Sequence, residues 1–277
     1  MKKKLFIPAA LVFLLLAGWV AWGNKALTVT ELTVSSADLP ESFSGLRIAH
    51  ISDLHNAEFG EGNEKLLALI EAQKPDIIVI TGDLIDSRRT DVGIALEFAE
   101  KAQNIAPVYY TPGNHEARIP EEYAILTDGL REYGITVLKD ETVVLEKDGD
   151  AICLAGMVDH DFFGGLTDEE KEENVRFRLS ALLAEREEYT LLLAHRPEFF
   201  EIYAACGADF TMSGHVHGGQ IRLPLIGGFA SFGRPDAGLY TDGDAAMAVS
   251  RGLGNSLFPF RVNNRPEVVM IALQKGE

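Results

Sequence analysis

Short polar blocks recur down this 277-residue chain, each directly after an apolar run of strand length. Residues 46–51 lead into Ser52-Asp53-Leu54-His55, 76–80 into Thr81-Gly82-Asp83, and 107–110 into Gly113-Asn114-His115-Glu116. Residues 189–194 lead into His195, and 208–212 into Gly214-His215-Val216-His217. Apolar runs of this length, bounded by Gly, Pro and Asp, predict buried strands. Helical spacing of apolar residues predicts helices over 63–73, 91–103, 121–133, 174–184 and 197–204. Strand and helix alternate up to Ile135, which requires crossover connections and a parallel sheet. Further strands are expected at 143–145, 152–154, 246–249 and 268–273, completing a second sheet. The expected fold is therefore α/β: two facing mixed sheets with helices outside. The polar blocks then gather at one rim, outside the carboxyl ends of the strands.

Those blocks hold two Asp, one Asn and five of the chain's seven His. Imidazole, carboxylate and amide oxygen suit borderline divalent metals such as Mn, Fe, Zn or Ni. No Cys lies in any block, so a thiolate site is excluded. Asp53 and His55 stand two apart, as do His215 and His217, so each pair can point into one cleft. The set suffices for two divalent ions sharing one carboxylate, an arrangement suited to hydrolysis of a phosphate ester. His50 lies inside the first core strand and is expected to be structural.

The formal net charge of −17 argues against nucleic acid as the main partner, because a phosphate backbone needs a basic footprint. Much of the acid lies in residues 168–173 and 185–188, expected to be a solvated helix face. Cys153 and Cys206 are expected to be thiols rather than a pair. No obligate protein partner is evident.

Lys2, Lys3 and Lys4 precede an uncharged stretch over 5–22, long enough for a bilayer core at about 1.5 Å per residue. Trp19 and Trp22 suit an interface. The stretch is read as a retained anchor, with a cleaved signal peptide as the alternative. The lysines place the N-terminus in the cytoplasm and the rest of the chain outside it. The organisation expected is a transmembrane anchor over 1–23, a linker with a short strand over 24–43, and one catalytic domain over 44–277.

The order Asp-x-His, Gly-Asp, Gly-Asn-His-Glu, His, Gly-His-x-His resembles that of the calcineurin-like metallophosphoesterases. Residues 214–224 and 250–255 resemble its small membrane-anchored bacterial branch, which includes exported phosphoesterases and UDP-diacylglucosamine pyrophosphohydrolases. The resemblance implies a calcineurin-like α/β/β/α sandwich with two divalent metal ions. It implies that Asp53, His55 and His217 hold one ion, that Asn114, His195 and His215 hold the other, and that Asp83 bridges them. His115 would be catalytic rather than a ligand, protonating the leaving oxygen or neutralising charge on phosphorus.

The expected activity is metal-dependent hydrolysis of a phosphodiester or phosphomonoester at the membrane, on a phosphorylated small molecule or lipid. A pyrophosphohydrolase acting on a nucleotide-linked lipid is the alternative enzyme, and a non-catalytic metal-binding scaffold the alternative of another class. Arg196 and Arg251 lie beside motif residues and are candidates to fork onto phosphate oxygens. His160 is a further substrate candidate, in a loop after a strand. Residues 223–229, apolar and Gly-rich, are a candidate lipid-facing lip.

Overall fold

The computed structural model describes residues 3–223, 226–229, 234–256 and 258–276, with only the backbone described for 3–10. Helix α1 is Lys3–Gly23. The strands are β1 (Thr28–Ser36), β2 (Arg47–Ile51), β3 (Ile77–Thr81), β4 (Val108–Thr111), β5 (Thr136–Val137), β6 (Glu141–Lys147) and β7 (Asp150–Met157). They continue as β8 (Thr190–Ala194), β9 (Phe210–Ser213), β10 (Arg222–Leu223), β11 (Gly227–Gly228), β12 (Gly238–Asp242), β13 (Ala245–Val249) and β14 (Glu267–Lys275). The remaining helices are α2 (Glu64–Ala72), α3 (Val92–Gln103), α4 (Asn114–Ala117), α5 (Pro120–Glu132), α6 (Asp168–Leu183) and α7 (Phe200–Ala205).

One six-stranded sheet runs β1-β14-β2-β3-β4-β5 and the other β12-β13-β9-β8-β7-β6. Both are mixed: β14 is antiparallel to β2 but parallel to β1, and β6 and β12 are antiparallel edge strands on a parallel centre. Their inner faces share one core, where Ile48, Val79 and Ile271 meet Leu154, Leu191 and Phe210. The outer face of the first sheet packs on α2, α3 and α5, and that of the second on α6 and α7. Each fully buried Leu or Ile contributes roughly 1.5–3 kcal/mol. The continuous apolar runs of β3 and β8 are thus explained by burial on both faces.

Several expectations need correction. Residues 268–273 do not complete the second sheet; as β14 they sit inside the first, between β1 and β2. The short strand expected in the linker over 24–43 is β1, which is not isolated but bonded to β14 along its whole length from Thr28 to Ser36. The helix expected from residue 174 begins at Asp168, because Thr167 and Glu170 form a capping box. Thr167 Oγ1 accepts from the Glu170 N–H, and Glu170 Oε2 accepts from the Thr167 N–H at 2.8 Å. Cys153 is buried in β7, while Cys206 follows α7 with Sγ 3.4 Å from Ser180 Oγ; both are free thiols.

Helix α1 coincides with the stretch expected to span a bilayer. Lys2 and the side chains of residues 3–10 lie outside the described residues, and among the described residues no helix is long and apolar enough to cross a membrane. The described part of α1 exposes Leu11, Phe13, Leu14 and Leu15 by more than half.

Candidate metal centre

Strands β2, β3 and β4 run parallel in one sheet, and β8 and β9 run parallel in the other, so each group delivers its carboxyl-end loops to one edge. The Asp53 N–H donates to Gly82 O at 3.1 Å, and the Gly214 N–H to His195 O at 3.0 Å, tying neighbouring loops within each sheet. Two further bonds cross between sheets. The His215 N–H donates to the Asp53 carboxylate at 3.1 Å, and His195 Nδ1 donates to Thr81 O at 2.7 Å.

The backbone bends hard to do this. Asp53, His55, Asp83, His215 and His217 all have positive φ, between 47° and 67°. Such residues cost of order 1–3 kcal/mol each and persist only where the surroundings overdetermine them, as at functional sites. Gly82, with φ +90°, permits a close approach of two loops: a Cβ there would meet Gly113 N at 2.5 Å and His195 Nδ1 at 2.8 Å.

All seven candidate ligands converge, in two groups. His55 Nε2 lies 3.1 Å from His217 Nε2 and 3.7 Å from Asp53 Oδ1. Asn114 Oδ1 lies 2.9 Å from His215 Nδ1 and 3.1 Å from His195 Nε2. Asp83 Oδ2 stands between the groups, 3.6 Å from His55 Nε2 and 3.2 Å from His195 Nε2. Asp53, Asp83, His55 and His195 are at most 5% exposed.

This donor set fits a pair of divalent ions. It is all nitrogen and oxygen, and the ligand atoms of Asp53, His55 and His217 and those of Asp83, His195 and His215 form separate compact groups. The Asn114 amide fits as well. Turned over, it would donate to both imidazoles and accept from Arg118 at 3.0 Å. With its oxygen turned to the imidazole nitrogens, the same side chain could serve as a ligand to a cation between them.

The electrostatics agree. Burial alone would lower the His195 pKa, but the charge and hydrogen bond of Asp83, with Asp53 and Asp159, raise it to about 10. Burial would raise Asp83, yet His195 and His55 hold it well below the usual carboxylate range. Asp53 is likewise lowered, by His217 and His55 against burial. Without metal, the Asp83 carboxylate and the His195 imidazole thus hold each other in their charged forms. His217 is driven down to about 3 chiefly by burial.

His115 is placed differently. Its Nδ1 accepts the Ser87 N–H at 3.0 Å, which leaves the proton on Nε2, 3.1 Å from Ser256 Oγ. Burial, with His55 and Arg118, lowers its pKa to about 4 against the pull of Asp83. It is therefore a neutral N–H donor at pH 7, facing a cleft of about 230 Å³ lined by Arg88, Arg118, His217, Gln220 and Phe258. Asp83 Oδ1 accepts the His115 N–H at 2.8 Å, fixing the turn.

The other candidates divide. Arg196 stays near the centre but behind it: its Nε donates to Asp159 at 2.7 Å and its Nη1 lies 3.1 Å from His215 Nε2. Arg251 is held by Glu267, at 2.7 Å, away from the cleft. His160 is buried against Phe199 and lines a neighbouring pocket with Arg118 and Asp161. His50 lies in the core with Nε2 2.8 Å from Thr81 Oγ1.

Sequence reasoning missed Glu116, whose carboxylate accepts the N–H groups of Asp83, Ile85 and Gly113 and so staples two loops together. Burial and the charge of Asp83 push its pKa to about 7. Its place in the Gly-Asn-His-Glu block was the available signal. Arg261 was also missed: it is 1% exposed, and its Nη2 lies 3.2 Å from His217 Nδ1. No motif marks it.

The sequence pattern of the calcineurin-like phosphoesterases matches residues 46–219, which contain every ligand candidate. The chain is 30% identical over 234 residues to the phosphodiesterase YaeI of Escherichia coli, covering 82% of each chain. It is 28% identical to the metallophosphoesterase YkoQ of Bacillus subtilis, covering 88% of this chain and 90% of that one. A transmembrane protein with a metallophosphoesterase domain from Danio rerio is 28% identical, matching 90% of this chain but 57% of its own length. The fold is similar to that of TT1561 of Thermus thermophilus, with TM-score 0.54 and 14% identity over 76% of this chain and 91% of that one. The pattern spans well over half of the chain and coincides with the loops that assemble this centre, so the chain belongs to the calcineurin-like phosphoesterase family and is a metallophosphoesterase, a hydrolase.

Proposed function

We propose that this protein hydrolyses phosphate esters, phosphodiesters first among them, at a membrane to which α1 anchors it. The observation that carries the catalytic part is the position of Asp83, whose carboxylate stands within 3.6 Å of both imidazole groups. In this reading Asp53, His55 and His217 hold one divalent ion, Asn114, His195 and His215 hold a second, and Asp83 bridges. When bound, such a pair supplies Lewis acidity and an activated water at neutral pH. The chain's own residues do the rest. Arg88 and Arg118 flank the cleft and bind phosphoryl oxygens, while the His115 Nε2–H is held by Ser87 to donate to the leaving oxygen.

The name of the Escherichia coli relative, a phosphodiesterase, supports diesters. The Danio rerio relative's name, the exposed apolar side chains of α1 and the lysines at its N-terminal end support the anchor. Lys2, Lys3 and Lys4 favour an N-terminus in the cytoplasm with the metal centre outside it, and so extracytoplasmic esters over nucleotide-linked lipids. The domain of this reading is residues 44–277, to whose β14 the preceding β1 adds an edge strand, and the net charge of −17 argues against nucleic acid as a partner.

The test is the full chain in detergent with added Mn²⁺, offered p-nitrophenyl monoesters, methyl diesters and pyrophosphates. Diester turnover is expected, and Asp83→Asn is expected to lose both metals by elemental analysis together with turnover. Full metal content in that variant would overturn the bridging role. A protease applied to intact cells from outside should cleave the domain; complete protection, with activity of a cytoplasmic reporter fused to the C-terminus, would overturn the orientation.

A further inference from the structure

The rim of the cleft carries more exposed aromatic surface than a phosphate site needs. Phe258 lines the cleft together with His115 and His217 and is 48% exposed; Phe260 follows at 43%. Their exposure is not loop looseness. Gln220, which closes the Gly-His-Val-His-Gly-Gly-Gln run, shares its two Nε2 hydrogens among Phe258 O at 3.1 Å, Phe260 O at 3.3 Å and Asn255 Oδ1 at 3.0 Å. Asn255 Oδ1 in turn accepts from the buried Arg261. The backbone is pinned while the rings stand in solvent, an arrangement that costs hydrophobic free energy unless an apolar group covers them.

The same loop is strapped to the end of α1. Asn24 Oδ1 accepts from Asn255 Nδ2 at 3.0 Å and from the Arg261 N–H at 2.8 Å, and Arg265 sits 5.2 Å over the Trp22 ring. A second apolar loop lies alongside: the Arg222 N–H donates to Val262 O at 3.0 Å, and beyond it Ile226 and Phe229 are 57% and 69% exposed. Part of that lip, residues 224 and 225, lies outside the described residues. Arg88 donates to Ser256 at 2.9 Å on the cleft side of the loop. Cationic side chains next to apolar rings match an amphiphile with an anionic head, and the apolar helix places the rim where such molecules are concentrated.

We propose that Phe258 and Phe260 form an apolar subsite of the metal cleft, and that it takes the hydrocarbon arm of an amphiphilic phosphate ester. This rests on the proposed function and specifies the class of its substrate.

The test measures binding and turnover separately. The full chain in phosphatidylcholine nanodiscs, loaded with Mn²⁺, is titrated with short n-alkyl phosphates of increasing chain length by calorimetry, with empty discs subtracted. Affinity is expected to rise about twofold to fourfold per added methylene. In Phe258→Ser/Phe260→Ser that gain is expected to fall below about 1.5-fold per methylene, whereas Phe258→Leu/Phe260→Leu should keep it. No chain-length dependence in the wild type, an unchanged dependence in the Ser pair, or its loss in the Leu pair would overturn the subsite. Turnover of p-nitrophenyl methyl phosphate tests the diester reading by itself. A chain that hydrolyses it yet ignores alkyl length loses the subsite alone; one that shows the length dependence without hydrolysing it keeps the subsite and loses the diester reading.

Discussion

The charge pairing of Asp83 with His195 has a measurable signature in the stability of the chelated protein. With metal removed, the His195 pKa is raised to about 10, chiefly by Asp83 acting against burial. An unfolded imidazole titrates near 6.5. The folded pKa is the higher one, so the native state binds a proton that the unfolded chain has released. That contribution is full below about pH 6.5 and is lost as pH rises through about 10. Each pH unit inside the window removes on the order of 1 kcal/mol, so a loss of a few kcal/mol is expected between about pH 7 and about pH 9. Glu116, raised to about 7, adds a loss of the same sign but mainly below this range.

The assay is urea unfolding of the full chain in detergent with EDTA, at several pH values across that window. Asp83→Asn removes the main cause and should flatten the slope. Saturating Mn²⁺ should reverse it, because metal competes with the proton and binds more tightly as pH rises. Chelated stability that is flat or rising across the window, or a slope that survives in Asp83→Asn, would refute the reasoning.

His115→Ala should keep its metals by elemental analysis yet lose about 10²–10⁴-fold in turnover, with a smaller loss for p-nitrophenyl than for alkyl leaving groups; equal losses would remove the proton-donor role. Gly82→Ala forces a Cβ to within 2.5 Å of Gly113 N at φ +90°, and should cost more than about 3 kcal/mol in urea unfolding, against under about 0.5 for an exposed alanine substitution elsewhere. Arg251→Ala strands the buried Glu267 carboxylate and should cost about 3–5 kcal/mol. In the wild type, Arg251 and Thr30 hold the Glu267 pKa below its ordinary value in spite of burial, so its contribution is present above that ordinary value and is lost as pH falls through the lowered one; Glu267→Gln should remove that acid sensitivity.

The metal centre was legible in the sequence because its chemistry is local to strand ends. Asp53 and His55, or His215 and His217, sit two apart after a buried run, and period-two geometry alone sends them together. Nothing equivalent announces a strand's partner. The apolar pattern of β14 fits either sheet, and its insertion between β1 and β2 is decided by long-range packing of Val269, Ile271 and Leu273 in the inter-sheet core. The same limit hides the partner of β1, legible only as a short strand in a linker: Val34 alone is fully buried, and Glu31, Thr33 and Ser35 are exposed, as expected of an edge strand.

Charged side chains mark the other boundary of what a sequence discloses. Arg196 and Arg251 neighbour ligand motifs along the chain, but a part-buried guanidinium settles on the carboxylate that neutralises it, and Asp159 and Glu267 are those carboxylates. Arg88 and Arg118 reach the cleft because no fully buried carboxylate claims them as closely. The rim above them comes from the loop before β14, far along the chain from the ligands it overhangs. Metal chemistry therefore follows from residues adjacent in sequence. The groups that decide what enters the site belong to loops joined to it through Gln220, Asn255, Ser256 and Arg261. Exchanging residues 254–260 between relatives with the same ligand set should consequently alter substrate preference while metal content stays constant; a change in metal content instead would mean that the loop and the ligands are not separable.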